Sequence, residues 1–400
     1  MKVVQINPVY GVGSTGRIAL DIQTYLKSQN IEARCIYGYG RENYPDTYKM
    51  QGMLELKYNI ARGRISGHHG FYNKHATHRA IEYLKEFDPD VVHLHNIHGY
   101  YINIGMLFDY IKTYHKKVVW TFHDCWPFTG HCAYFDHINC AKWKKGCQGC
   151  PGWKEYLILG KDRADRNLTE KKGLFCNIED LTIVTPSVWL ADLVRESFLN
   201  IYPIRVINNG IDTSVFRPVN SNVIKKQLGI EKEKVVLGIV PDLDGNKNGR
   251  HMVELAKRLG SEYIVVLLSL NTKEKLPSNI LVLPRTNSTQ RLAELYSMAD
   301  VFVNPTLEDN FPTVNLESTA CGTPVVTYNT GGSPEGVMEH FGEVVEKGNL
   351  DQLTQSVKKW AHMDTEHLFQ KIDVTSLDKN IFAEKYLKLY SGDCLELCQM

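Results

Sequence analysis

Nowhere does this chain carry the roughly eighteen uninterrupted apolar residues that a membrane-spanning helix requires, so no span is expected. A surplus of either charge is also missing. The 46 basic residues stand against 45 acidic ones, and a net charge of +1 creates no global field that would draw the chain to nucleic acid. Basic patches are local, as at Lys142, Lys144, Lys145 and Lys154. Low-complexity linkers are absent, and the opening MKVVQINPVYG shows neither a long apolar stretch nor a small-residue cleavage site. The expected location is therefore the cytoplasm, peripheral to the inner membrane at most. In that reducing compartment ten cysteines should stay thiols, which directs attention to metal ligation rather than to disulfides.

What is present is an alternation of apolar β-branched runs with helical stripes. A chain of 400 residues exceeds what one core usually supports, and an apolar fraction of 43% is ordinary for a globular protein. Strands are expected at Val3–Asn7, Val91–Asn96, Val118–Asp124 and Leu181–Pro186. A second series follows at Val235–Val240, Ile264–Leu270, Ile280–Pro284, Val301–Pro305 and Pro324–Tyr328. Apolar on both faces, these suit parallel sheets covered by helices. Stripes such as Ile18, Ala19, Ile22, Tyr25 and Leu26, or Leu292, Leu295 and Ala299, supply those helices. The βαβα pattern runs twice with a break near Asn208–Pro218, which predicts an α/β protein of two doubly wound domains, 1–205 and 206–376. A final segment, 377–400, carries a helix with Phe382, Tyr386, Leu389 and Tyr390 that could pack back on the first domain. The cleft between two such domains is the default site.

The stretch Asn304–Glu335, NPTLEDNFPTVNLESTACGTPVVTYNTGGSPE, joins a strand, an acidic loop with Glu308 and Asp309, and a short helix around Glu317. Free N–H groups at a helix start attract an anion, and ionised carboxylates accept from hydroxyl groups. Phosphate beside polyhydroxyl points to a nucleotide-sugar. After the first strand, Gly11-Val12-Gly13-Ser14-Thr15-Gly16-Arg17 has G-x-G-x-x-G spacing, which lets backbone approach a ligand. The acidic residue a dinucleotide site wants about twenty positions later is missing, since Glu32 precedes the next apolar run, and a dehydrogenase is disfavoured. A ligand-free βα turn is the alternative. His123, at the end of a strand, could orient a sugar hydroxyl or move a proton, or be satisfied by Asp124. His93 and His95 share a strand face and could chelate a metal, although packing in the core or a loop is the favoured reading because no third ligand has diagnostic spacing. Lys247, before a helix in the second domain, can neutralise phosphate.

Cys132, Cys140, Cys147 and Cys150 lie within nineteen residues, in a segment of about 125–155 that also holds Trp126, Trp143 and Trp153. Four thiolates at that density suit a closed tetrahedral structural zinc, with His131 able to replace one of them. A buried cysteine-rich loop without metal is the other reading.

Together these segments resemble glycosyltransferase family 4, retaining enzymes of the GT-B fold, over nearly the whole chain. The match rests on LEDNFPTVNLESTACGTPVV with GGSPE, on GSTGR at 13–17, TPSVWL at 185–190, VINNGIDTSVF at 206–216 and Lys247-Asn248-Gly249. The insert beginning HDCWPFTGHCAY resembles a subgroup that builds bacterial capsule, exopolysaccharide and O-antigen units. The resemblance implies a nucleoside-diphosphate-sugar donor, a glycan or polyprenyl-linked acceptor, and no metal for catalysis. It implies that Asp309 contacts the donor sugar, Glu317 the ribose, and Lys247 with the amides near Val314 and Asn315 the diphosphate. His123 would stand near the transferred sugar, and Gly13, Ser14, Gly16 and Arg17 near acceptor and phosphates. Two positions depart from the pattern. Aspartate replaces the first glutamate, and Pro241 stands where an arginine is usual, so Arg250, or else Arg285, is expected to supply the missing cation. Tyr100, Tyr101, Ile102 and Trp126 could touch a bilayer, or else pack in the core. A catalytically weak zinc-stapled scaffold and a sugar-nucleotide epimerase or phosphorylase remain as alternatives.

Overall fold

The computed structural model describes residues 1–40, 43–156, 162–231, 233–245 and 247–393; the end of the 377–400 segment lies outside them. Two compact units divide the chain, one of Met1–Asn208 together with the residues from Phe382 on, the other of Asn209–Ile381.

The first unit is a seven-stranded sheet of β1 (Lys2–Asn7), β2 (Glu32–Tyr37), β3 (Thr47–Lys49), β4 (Val91–Leu94), β5 (Lys117–Thr121), β6 (Leu181–Thr185) and β7 (Ile204–Val206). Their order is β3-β2-β1-β4-β5-β6-β7, with every pairing parallel. Side chains alternate between two covered faces. Val4, Ile6, Val92, Leu94, Val118 and Trp120 enter one apolar cluster, and Val3, Val91 and Val119 enter the other. The last helix, Lys379–Ser391, adds Phe382, Ala383, Tyr386 and Tyr390 to that second cluster, beside Ile18 and Ile22 of helix Gly13–Ser28.

The second unit repeats the plan with β8 (Lys234–Ile239), β9 (Tyr263–Leu268), β10 (Ile280–Leu283), β11 (Val301–Asn304), β12 (Val325–Tyr328) and β13 (Gly342–Val345), ordered β10-β9-β8-β11-β12-β13 and again all parallel. Its two faces bury Leu237, Val266 and Phe302 on one side and Val236, Val265 and Val303 on the other. Among the described residues no helix is long and apolar enough to cross a membrane.

Candidate active site

In an open doubly wound sheet, the strand with neighbours of opposite winding leaves a crevice at its carboxyl end. In the second unit that strand is β8, flanked by β9 and β11. Lys247 arrives from the loop after β8 and Asp309 from the loop after β11, and the two form an ion pair. Asp309 rather than Glu308 faces the lysine; Glu308 is buried in its own loop, whose backbone the Thr306 hydroxyl ties down by donating to the Glu308 carbonyl at 2.9 Å. The second Asp309 oxygen accepts from the Asn310 N–H at 3.0 Å. Gly332 N–H donates to the Asp309 carbonyl at 3.2 Å, and Gly331 has a φ of +54°. A Cβ at Gly331 would run into that same carbonyl oxygen, so the GGSPE segment needs a glycine there to close on the acidic loop.

Helix Thr313–Ala320 follows, entered from Pro312 with no side chain capping its first turn. The Thr313 and Val314 end of this helix can present N–H groups to an anion. Asn315 cannot serve in the way expected of it. Its N–H donates to Pro312 O at 3.1 Å, and its fully buried side chain accepts from Asn304 at 2.9 Å and donates to Ser333 at 3.2 Å. It braces the loop instead. Glu317, buried one helical turn further in, accepts from the Tyr296 hydroxyl at 3.0 Å, which fixes one carboxylate oxygen.

Arg250 also departs from expectation. Its guanidinium is shared between Asp244, at 2.6 and 3.1 Å, and Glu274, at 2.9 and 3.1 Å, on an exposed surface, so its donors are already matched to carboxylates. Arg285 lies exposed beyond β10, at the edge of the sheet away from β8 and β11.

The first unit has its switch at β1, between β2 and β4. Gly11 (φ +71°) and Gly13 (φ +66°) turn the chain into helix Gly13–Ser28, and Gly11 N–H donates to Gly16 O at 2.9 Å. A side chain at Gly13 would meet nothing within 4 Å, so it and Ser14 face open space, whereas Gly16 is buried against Val9 and the Tyr10 backbone. Arg17 is half-buried one residue later.

Beside this turn the sheet buries an unusual polar row. The Gln5 amide nitrogen donates to the Ala19 carbonyl at 2.8 Å, so its oxygen faces His95 Nε2 at 2.9 Å. That Nε2 must carry the proton, which leaves His95 Nδ1 as the acceptor for His123 Nε2 at 3.0 Å. His123 is thereby held in the Nε2–H tautomer. Burial lowers its pKa to about 4, with Asp124 opposing and His98 assisting, so the ring is neutral at pH 7. Burial first, and then the rings of His93 and His123, press His95 well below the usual imidazole range. Burial alone would raise the Asp124 carboxyl. His98, at 2.8 Å, and the Trp126 N–H, at 2.9 Å, outweigh it and bring the pKa below the ordinary carboxylate value. His93 and His95 do share a face, but their nitrogens do not converge on an ion. His93 binds Thr121 Oγ1 at 2.8 Å and the Tyr390 hydroxyl at 2.6 Å, and His95 is used by Gln5 and His123.

The cysteine-rich segment leaves β5 directly after His123 and Asp124. His131, Cys132 and Cys150 are buried with one ligand atom from each lying within 4.8 Å of the others, while Cys140 is less buried and stands outside that group. Two of the four expected cysteines, Cys132 and Cys150, thus gather with His131, and Cys147, buried like them, stands with Cys140 outside that group and lines the same cavity. Trp126, Tyr101 and Ile102 are core residues, and Tyr100 is half-buried.

Residues 15–215 match the model of Glycosyltransferase Family 4, and residues 220–371 that of Glycosyl transferases group 1. The chain belongs to glycosyltransferase family 4. It is thus a glycosyltransferase, with the two parallel-sheet units of the GT-B fold. The putative colanic acid biosynthesis glycosyl transferase WcaC of Escherichia coli (strain K12) is 27% identical over 422 residues, spanning 98% of this chain and 96% of that protein. Among solved structures, sucrose-phosphate synthase from Thermosynechococcus elongatus superposes with a TM-score of 0.70 at 14% identity, covering 98% of this chain and 99% of that one. Anabaena HepE in complex with UDP and glucose superposes with a TM-score of 0.67 at 13% identity, over 98% of this chain and 100% of that one.

Several residues of the candidate site were not singled out from sequence. Tyr296 sits on helix Thr289–Met298 and reads as one more apolar position of its stripe. Gln5 and Asn304 end up as braces only because parallel register sets them beside β4 and helix Thr313–Ala320. A polar residue inside an otherwise apolar buried strand was the available signal for both.

Proposed function

We propose that this glycosyltransferase transfers a sugar, with retention of anomeric configuration, from a nucleoside diphosphate sugar to a hydroxyl of a glycan or polyprenyl-linked oligosaccharide in cell-surface polysaccharide assembly. The observation that carries the reading is the meeting of Lys247 and Asp309 at the β8/β11 switch. An ammonium has three donors and no acceptor, so Lys247 can hold Asp309 and a phosphate oxygen at once. Negative charge builds on the departing diphosphate in the transition state, and a fixed cation with uncapped amides at Thr313 and Val314 would stabilise it there. Asp309 would accept from a hydroxyl of the donor sugar. Glu317, with one oxygen held by Tyr296, would accept from the ribose. His123 would face the transferred sugar, and Gly13, Ser14, Gly16 and Arg17 the acceptor and phosphates. The proposal includes no catalytic metal. The UDP and glucose bound by HepE and the colanic acid pathway named for the Escherichia coli relative support the donor class and the setting.

A lipid-linked acceptor is supported by helix Met53–Ser66. It turns Leu54, Tyr58 and Ile65 outward, with exposures of 84%, 61% and 53%, and sets Lys57, Arg62 and Arg64 around them. An apolar stripe with a basic rim suits an anionic lipid surface. A cavity of about 780 Å³, lined in part by Tyr58, Arg62, Tyr72 and His75, opens beside it.

The test is a panel of UDP-, GDP-, ADP- and dTDP-sugars offered to the purified protein with lipid-linked acceptors, and product mass spectrometry. Transfer from one donor is expected, lost in Lys247→Ala and in Glu317→Ala without loss of fold. Full activity of both variants would overturn the assignment.

A further inference from the structure

We propose that the segment after β5 binds one zinc ion through His131, Cys132, Cys147 and Cys150, with Cys140 excluded from the ligand set. Three of these ligands are already gathered and buried. Cys150 Sγ lies 3.6 Å from His131 Nε2. In a tetrahedral site with Zn–S of about 2.3 Å and Zn–N of about 2.0–2.1 Å, the sulfur-to-nitrogen edge is roughly 3.5 Å. The spacing is therefore that of two ligands around one ion. A cavity of about 10 Å³ lies among them, lined by His131, Cys132, Cys147, Cys150, Phe135 and Trp143. That is about the volume of one small sphere.

The fourth ligand is chosen between two thiols that line the same cavity. Cys147 is buried and stands three residues before Cys150 in a C-x-x-C turn, where Gly149 has a φ of +59°. Cys140 is more exposed. A closed set of one imidazole and three thiolates leaves no open position, so the ion would be structural. Binding would release three thiol protons, and the centre would carry a net charge of −1. Lys171 is buried nearby, its Nζ donating to Trp126 O at 2.7 Å and Thr129 O at 3.0 Å. The ion would thus pin the loop whose first residues are the His123–Asp124 corner.

Metal content of the full-length protein, purified without a metal column, tests this. Zinc is expected at about one equivalent per chain, released by a thiol-directed mercurial. Replacement by cobalt should give the intense visible bands of a tetrahedral thiolate centre. Cys150→Ser and His131→Ala should lower zinc about fivefold or more, whereas Cys140→Ser should keep the full equivalent. Because the wild-type protein is read directly, misfolding of a variant does not decide the outcome. Reduced wild-type protein that takes up neither zinc nor cobalt would overturn the proposal. So would a Cys132–Cys150 disulfide found by intact mass, or loss of the metal in a folded Cys140→Ser variant.

Discussion

The two units share a winding and a switch point but fill it with opposite chemistry. After β8 and β11 the second unit sets charge against charge, Lys247 on Asp309, with the buried carboxylate of Glu317 one turn into the helix. After β4 and β5 the first unit sets neutral rings in a line from Ala19 through Gln5 and His95 to His123. Fixed charge suits a ligand that is itself charged, and it tolerates a wet site because the ions stay partly solvated. A chain of tautomers suits a ligand that offers hydroxyl groups, and it works only when burial keeps every ring uncharged. Topology thus fixes where a ligand can go, and the residues at the strand ends decide what kind.

The contrast is broken most strongly at Lys247. Lys247→Ala removes the cation paired with Asp309, and turnover should fall about 10²–10³-fold with little change in melting temperature. Asp309→Asn sharpens the comparison because its two effects diverge. Sugar transfer should fall roughly 100-fold, while affinity for the sugar-free nucleoside diphosphate holds or tightens as Lys247 loses its neutralising partner. Equal losses in both assays would count against the split of roles. Gly331→Ala forces a side chain into the Asp309 carbonyl at positive φ, and should cost about 1–3 kcal/mol in urea unfolding while lowering transfer.

Effects on the neutral unit should be smaller and read through pH. His95→Phe leaves Gln5 Oε1 and the His123 N–H without their partner, a cost of about 1–3 kcal/mol. It should lower kcat more than it raises KM, and shift the acid limb of the rate profile, because His123 loses a neighbour that selects its tautomer. For stability the sign is set by depressed imidazoles. Unfolded, His123 takes a proton below its ordinary 6.5; folded, it does so only near 4. The unfolded chain therefore binds more protons between those values, so stability should be flat above about pH 6.5 and fall as the pH drops towards 4. Chemical denaturation from pH 8 to pH 4 checks this, and a stability that rises on acidification would contradict it.

Much of this was legible in the sequence, for identifiable reasons. Nine strands announced themselves as apolar runs because parallel strands are buried on both faces. Of the strands that escaped notice, β2, β3, β7 and β13, the last three are sheet edges; β3 and β7 are only three residues each, and TYK and IRV give no apolar run to see. Predicted strands also overran, Val118–Asp124 ending at Thr121, because the ladder stops where the chain turns to the site. Asp309, Glu317, Lys247 and His123 could be placed since each follows a strand end in a recognisable motif. Their partners could not. Tyr296 meets Glu317 across two helices, and Gln5 meets His95 through register alone. Arg250 could not be seen from sequence to pair with Asp244, six residues before it, and with Glu274 in the loop after β9, because no spacing rule joins the three. The cysteines were visible as a cluster, but which of them gather around His131 depends on the path of a loop without regular structure.

The most direct measurement is calorimetric titration of UDP, GDP, ADP and dTDP into the wild-type protein and into Lys247→Ala. One nucleotide should bind the wild type and bind the variant at least about tenfold more weakly, with melting temperatures matched. Undiminished binding by a folded Lys247→Ala variant would contradict the assignment of the β8/β11 switch as the diphosphate site, and so would a wild-type protein that binds none of the four.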